Sequence, residues 1–225
     1  MKIIIFGATG MVGQGVLREC LRDPEITGVL TVGRTATGGK NAKLHEIEHA
    51  DLWDYTAIEN QLSDFDACFF CLGVSSGGMQ KTKYEHLTYD LTMAAAETLC
   101  RLNPEMVFTY VSGAGTDSSE HGSSMWARVK GRTENALLRL PFKAAYMFRP
   151  GLIRPLHGIR SKTKSYRLLY TVGSPIIPLL QWAFPGAVAS TETIGRAMIE
   201  VARNGAAKSI LGPGDILALS RANKN

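Results

Sequence analysis

The feature that most constrains this chain is a short apolar, β-branched run, Lys2-Ile-Ile-Ile-Phe6, that ends in a glycine loop and passes at once into a helical pattern. The loop reads Gly7-Ala8-Thr9-Gly10-Met11-Val12-Gly13. An apolar run of this length, without alternation, predicts a strand buried on both faces, as in a parallel sheet. The glycines have separate tasks. Gly7 permits the tight turn off the strand, Gly10 lets backbone approach a pyrophosphate where a Cβ would clash, and Gly13 lets the helix lie close to the sheet. The helix start offers unpaired N–H groups and a partial positive charge to phosphates, with the Thr9 hydroxyl as a further donor. Met11 to Asp23 carries Val12, Val16, Leu17 and Cys20 at helical spacing, and Pro24 ends it. Ile26 to Val32 is a second strand, closing a β-α-β unit of about thirty residues.

The alternation continues. Strands are predicted over Leu44–Ile47, Ala67–Leu72, Met106–Val111 and Ala144–Phe148. Helices are predicted over Tyr55–Leu62, Tyr84–Leu102, Met125–Leu140 and Glu192–Asn204, and a last strand over Ser209–Gly212 or Ile216–Leu219. This order implies an α/β class, a doubly wound parallel sheet of the Rossmann type. No linker divides the chain, so residues 1–225 are expected to form a single dinucleotide-binding domain. The alternation breaks between Leu152 and Ala189, and residues 152–190 are expected to be a small cap insertion shaping a substrate pocket.

Composition narrows the function classes. The chain has 225 residues, 45% hydrophobic and 20% charged, which excludes disordered and fibrous classes. A net charge of +5 suits an anionic ligand, but no Lys/Arg run with interleaved aromatics points to nucleic acid. Cys20, Cys68, Cys71 and Cys100 lie in apolar or helical runs. Cys68-Phe-Phe-Cys71 has redox or zinc spacing, but it falls in a strand and no second ligand pair completes a metal site. Reduced thiols and an N-terminus without a signal pattern predict a cytoplasmic protein. Leu168 to Val188 is long and nearly uncharged, but Pro175, Pro178 and Pro185 argue against a spanning helix.

Cofactor choice is set at the end of the second strand, where an acid would accept from ribose hydroxyls and a base would pair with a 2′-phosphate. Here Thr31-Val32-Gly33-Arg34 presents Arg34, which favours NADP(H), with NAD(H) the alternative. Asp51-Leu52 could flank the adenine, or Asp51 could cap the helix that follows.

Taken together, these residues resemble the atypical short-chain dehydrogenase/reductases, nearest the TIP-type, NmrA-like and epimerase-like branch. The resemblance spans most of the chain and is strongest up to about Pro155. Beyond the glycine loop, Cys71-Leu72-Gly73 matches the loop after the fourth strand, against the cofactor ribose. Val111-Ser112-Gly113-Ala114 matches the fifth-strand end, whose Ser polarises a substrate carbonyl. Lys130 matches the helical Lys that holds the nicotinamide ribose, although a solvated Lys paired with Glu134 at i,i+4 is the other reading. Phe148-Arg149-Pro150-Gly151 matches the sixth-strand end, with Pro150 and Gly151 beside the nicotinamide. The resemblance implies an oxidoreductase or epimerase-type enzyme on an unidentified carbonyl or hydroxyl substrate.

One departure stands out. The family's proton-carrying Tyr precedes the Lys by four residues on one helical face; here that position is Trp126. An indole N–H donates a hydrogen bond but is no general acid near neutral pH. Either another group carries the proton, with Tyr84, Tyr89 and His121 the candidates, or the protein senses NADP(H) without turnover. Further on, Arg154, His157, Arg160, Lys162, Lys164 and Arg167 form a basic segment that could attract an acidic substrate or anionic lipid headgroups, or simply be solvated. The following apolar stretch, with Tyr170, Trp182 and Phe184, could wall a pocket or form a homodimer contact.

Overall fold

A computed structural model describes residues 1–159 and 188–222. The first strand, β1 (Lys2–Phe6), runs at the centre of a sheet because Ile3, Ile4, Ile5 and Phe6 have no exposed surface on either face. It pairs in parallel with β2 (Gly28–Gly33) on one side and β4 (Ala67–Phe70) on the other. Adding β3 (Leu44–Glu48), β5 (Val107–Val111), β6 (Ala144–Phe148) and, from the end of the chain, β9 (Ile210–Leu211) gives seven parallel strands in the order β3-β2-β1-β4-β5-β6-β9. The order reverses between β1 and β4, the switch point at which open α/β sheets bind ligands outside the strand ends.

Alternate residues of β1 feed two cores. Ile3 and Ile5 pack with Val16, Leu17 and Cys20 of α1 (Met11–Arg22) and with Ile194 and Met198 of α5 (Thr191–Asn204). Ile4 and Phe6 pack on the other face with Leu91, Ala95 and Leu99 of α3 (Leu91–Leu102). The helices α1 and α5 approach closely: a Cβ on Gly15 would lie 2.5 Å from the Thr191 Cβ.

Several boundaries differ from the sequence pattern for identifiable reasons. The predicted helix at Tyr55–Leu62 is a tighter 3₁₀ segment, Thr56–Gln61, too short for a full helical face. The predicted helix from Tyr84 begins earlier, as α2 (Lys81–Glu85), and joins α3 through one wide π turn, His86–Asp90. The stretch Ile216–Leu219 is helical, inside α6 (Pro213–Ala222). Pro213 suits a first helical position, and the Asp215 carboxylate accepts the Gly212 N–H at 2.8 Å. The strand is the earlier alternative, Ile210–Leu211.

The two ends of the predicted insertion meet. β7 (Leu152–Arg154) pairs in parallel with β8 (Val188–Ser190), Leu152 against Val188, as a separate two-stranded sheet. His157 is described and lies 2.8 Å from the Glu192 carboxylate, whereas residues 160–187 of the insertion, with Arg160 to Arg167 and the apolar stretch, lie outside the described residues. Among the described residues no helix is long and apolar enough to cross a membrane.

Candidate functional site

The strand ends at the switch point open into one cleft of about 1190 Å³. Its floor is the glycine loop. Gly7 has φ +78°, and a Cβ there would stand 2.7 Å from the Leu72 backbone nitrogen, so β1 can turn only with glycine at this point. A Cβ on Gly13 would lie 2.1 Å from the Gly7 carbonyl oxygen, so Gly13 sits behind the cleft and sets the distance of α1 from the loop. At Gly10 a Cβ would meet only the Gly7 oxygen, at 3.2 Å, and would otherwise fill open cleft. Gly10 is also the N-cap of α1, with no side-chain cap and no acid in the first turn. The uncapped helix start faces the cleft alongside Thr9, Met11 and Val12, the arrangement that favours an anion.

One end of the cleft is bounded by Arg34, Thr35 and Thr37, after β2. Arg34 is exposed and has no protein partner among the described residues. The loop that carries it is tied by Glu46, a residue the sequence pattern did not single out. Its carboxylate accepts from the Thr37 N–H at 2.6 Å, the Gly38 N–H at 3.2 Å and the Thr31 hydroxyl at 3.2 Å. Burial works to raise the Glu46 pKa, but these hydrogen bonds outweigh it and hold it below the usual carboxylate range. Leu52 lines this end as expected. Asp51 does not: it is exposed, and its carboxylate accepts the Trp53 N–H at 2.9 Å, closing a local turn. It caps no helix either, since Asp54 accepts the Thr56 N–H at the start of the 3₁₀ segment.

The middle of the cleft is bounded by Cys71, Leu72 and Gly73 after β4. Burial pushes the Cys71 thiol up to about 12, so it borders the cleft as a protonated thiol rather than a nucleophile, and the buried Cys20 and Cys68 are raised as well.

The far end is built by β5, β6 and one face of α4 (Met125–Leu137). Trp126, Lys130 and Glu134 follow one another at four-residue spacing, so they form a stripe along that face. Trp126 lines the cleft near Gly115, where an added Cβ would stand 3.5 Å from the ring and whose φ of +87° favours glycine. Lys130 is buried, not solvated. Its ammonium donates to the Val111 carbonyl at 3.2 Å and stands 5.3 Å above the Tyr110 ring centroid. Burial lowers its pKa to about 8, partly opposed by the Glu134 charge. Glu134 does not pair with Lys130. With no exposed surface, it takes the Arg149 guanidinium, whose Nε lies 3.1 Å from both carboxylate oxygens and whose Nη2 also contacts it closely. The same carboxylate accepts the Ser112 hydroxyl, which lies 3.1 Å from the Phe148 carbonyl as well. Ser112, Pro150 and Gly151 line the cleft. Close packing allows this: a Cβ on Gly131 would stand 1.8 Å from the Asp117 carbonyl, so only glycine admits the loop whose Ser118 hydroxyl accepts from Arg149.

Of the three candidate proton donors, the fold brings only Tyr84 to the cleft, where it is buried. Tyr89 lies under the Arg132 guanidinium, 4.2 Å from its ring centroid, and His121 is exposed on a loop; neither lines the cleft. The buried Glu134–Arg149 pair was the main omission of the sequence reading. Its only signal was that Glu134 lies four residues after Lys130 and that Arg149 precedes Pro150-Gly151. Among the described residues, no group of three His, Cys, Asp or Glu side chains could hold a metal ion.

Comparison with known proteins is consistent with this geometry. The sequence profile described as the NAD dependent epimerase/dehydratase family matches residues 3–124. A protein of Scheffersomyces stipitis named "Protein FMP52-2, mitochondrial" is 28% identical over 171 residues, covering 75% of this chain and 72% of that protein. An Aspergillus oryzae protein named "Protein fmp52-2, mitochondrial" is 27% identical over 229 residues, covering 96% of each. The expectation of a cytoplasmic location is corrected by these relatives, which are named mitochondrial proteins. That expectation rested on thiols and the N-terminus, which report a reducing environment but no compartment. In fold, the chain is similar to the UDP-N-acetylglucosamine 4-epimerase of Methanobrevibacter ruminantium, with a TM-score of 0.70 at 15% identity over 94% of this chain and 75% of that one. It is also similar to the Bordetella bronchiseptica enzyme WbmF in complex with NAD+, with a TM-score of 0.66 at 15% identity over 100% of this chain and 79% of that one. This chain belongs to the NAD dependent epimerase/dehydratase family.

Proposed function

We propose that this protein binds a nicotinamide dinucleotide, NADP(H) in preference to NAD(H), and carries out oxidoreductase or epimerase-type chemistry at a C–O centre of a small molecule. The observation that carries the reading is a single cleft running from Arg34, past the uncapped start of α1, to Lys130 and Ser112. In this reading Gly7, Gly10 and the α1 N-terminus hold the pyrophosphate. Arg34 takes the 2′-phosphate, Leu52 lies by the adenine, and Cys71 to Gly73 flank the ribose. Lys130 donates to the nicotinamide ribose, and Pro150 and Gly151 border the ring. When bound, the nicotinamide supplies a hydride acceptor or donor. In this reading Tyr84, which lines the cleft, supplies the hydroxyl for a substrate oxygen, where Trp126 offers only an indole N–H.

Thermal-shift titrations with NADP+, NADPH, NAD+ and NADH on the wild type and Arg34→Ala test the cofactor assignment, because a ligand held only by the folded state raises the midpoint. All four are expected to raise it, the phosphorylated pair most. Arg34→Ala is expected to weaken NADPH by about 2 kcal/mol, the worth of a charge-assisted hydrogen-bonded pair, and NADH little. Equal weakening of both removes Arg34 from the phosphate site. Absence of any shift removes the cofactor.

A second reading, a dinucleotide-responsive binding protein without turnover, is favoured by Trp126 in the cleft wall. Trp126→Tyr separates the two. Under the enzyme reading the native protein oxidises NADPH against some member of a carbonyl panel, and the Tyr variant changes the rate modestly. Turnover that arises only in the Tyr variant, from a silent native protein, favours the binding reading.

A further inference from the structure

Ser112 has one hydroxyl proton and two acceptors within reach, the Glu134 carboxylate and the Phe148 carbonyl. The two are unequal. The Phe148 oxygen already accepts the Ser112 backbone N–H at 2.9 Å. Glu134 offers a full negative charge, and hydrogen bonds to a charged acceptor are roughly twice as strong as neutral ones. The carboxylate is fully buried, and the always-protonated Arg149 covers both its oxygens. The charges of the pair therefore balance, and the remaining lone pairs of Glu134 are best satisfied by the serine proton.

We propose that Glu134 is a positioning residue that fixes the polarity of Ser112, so that Ser112 meets the cleft as a hydrogen-bond acceptor and the group bound against it is a hydroxyl donor. A hydroxyl oxygen keeps two lone pairs after donating its proton. A bare carbonyl oxygen placed against Ser112 would set acceptor against acceptor, while an alcohol or sugar hydroxyl would donate into it. This reverses the donor role that the family resemblance gives Ser112. Among the described residues, Lys130 and Trp126 also line this end of the cleft, and each carries N–H donors that a substrate oxygen could use. The ligand class rests on the reading of this cleft as a substrate site. The polarity of Ser112 does not.

Neutron diffraction from crystals of the full chain exchanged into heavy water tests this, with D2O itself as the probe ligand. The expected map has a deuteron on Ser112 Oγ along the line to Glu134, none on Glu134, and the cleft water at Ser112 pointing a deuteron at Oγ. A deuteron on Ser112 directed into the cleft or at Phe148, or a deuteron on Glu134, overturns the proposal. In Glu134→Gln, Arg149 still demands an acceptor, so the amide oxygen turns to it and the amide nitrogen donates to Ser112. The serine deuteron is then expected to leave that line for the Phe148 carbonyl or the cleft; an unmoved deuteron would also overturn the proposal. Should that variant fail to fold, the wild-type map decides alone. Because the map is read without dinucleotide, its outcome is independent of the thermal-shift titrations, and either reading can fail while the other stands.

Discussion

Lys130→Met is expected to raise the unfolding midpoint of the dinucleotide-free protein at pH 7, while weakening dinucleotide binding roughly tenfold or more through loss of a charged donor. The ammonium is buried with one carbonyl and one aromatic face for company, and burial brings its pKa from 10.5 down to about 8. At neutral pH the folded protein therefore keeps this charge, but less favourably than the unfolded chain does, at a cost on the order of 3 kcal/mol before the lost contacts with Val111 and Tyr110 are counted. The sign with pH follows from proton counting. Between about pH 8 and 10.5 the unfolded chain keeps the Lys130 proton and the folded one releases it, so stability from this group rises with pH across that window. The penalty is fully present below about pH 8. Denaturant titrations of both proteins at pH 7 and pH 10 measure it: the Met variant should be the more stable at pH 7, and its advantage should shrink at pH 10. A variant less stable at both values would mean that the ammonium is solvated or paired after all. A destabilising cation kept in a cleft is what a binding site requires and a core does not.

The fold was legible because each signal acted over a short distance. The apolar run of β1, the glycines and the helical period of α1 are consecutive in the chain, and parallel pairing with β2 follows from the length of the unit between them. Local competition explains the errors. Ile216–Leu219 is a short apolar run such as a buried strand has, but Pro213 and Asp215 start a helix just before it. At Thr56–Gln61 only Ile58 is buried, so nothing sustains a longer helix.

The candidate site divides in the same way. Every residue expected at the cleft through a strand end or a glycine lines it or stands directly behind it, because strand ends converge by topology. Asp51 failed because a carboxylate beside a turn satisfies the nearest backbone N–H first. The contacts of Glu46 with the Arg34 loop, and of Arg149 with Glu134, join different elements, and one sequence carries no mark of who meets whom. Lys130 and Glu134 illustrate the limit. Helical spacing permits them to pair, but the strand β6 delivers a guanidinium with better geometry, and the carboxylate turns to it.

That choice makes Arg149 the position where a single substitution should cost most. Arg149→Met removes the cation from a carboxylate with no exposed surface, and breaking a buried pair from one side costs about 3–5 kcal/mol, because the remaining charge is stranded. For a chain of this length the midpoint should fall by roughly 6–20 °C. Glu134→Leu with Arg149→Met removes both charges, and replacement of a whole buried pair by apolar groups is often neutral. The double variant should therefore recover most of the loss, so the coupling energy, the double's cost minus the two single costs, should be negative and at least as large in size as the Arg149→Met penalty. It also frees the Ser112 proton, which then has only the Phe148 carbonyl and the cleft to choose between. If the double variant is as unstable as Arg149→Met alone, the loss belongs to Arg149's contact with Ser118 or to packing, not to the stranded carboxylate. If instead stability returns while the dinucleotide still binds and turnover does not, the pair serves the chemistry at Ser112 rather than the fold, because a merely structural pair can be exchanged for apolar groups without that loss.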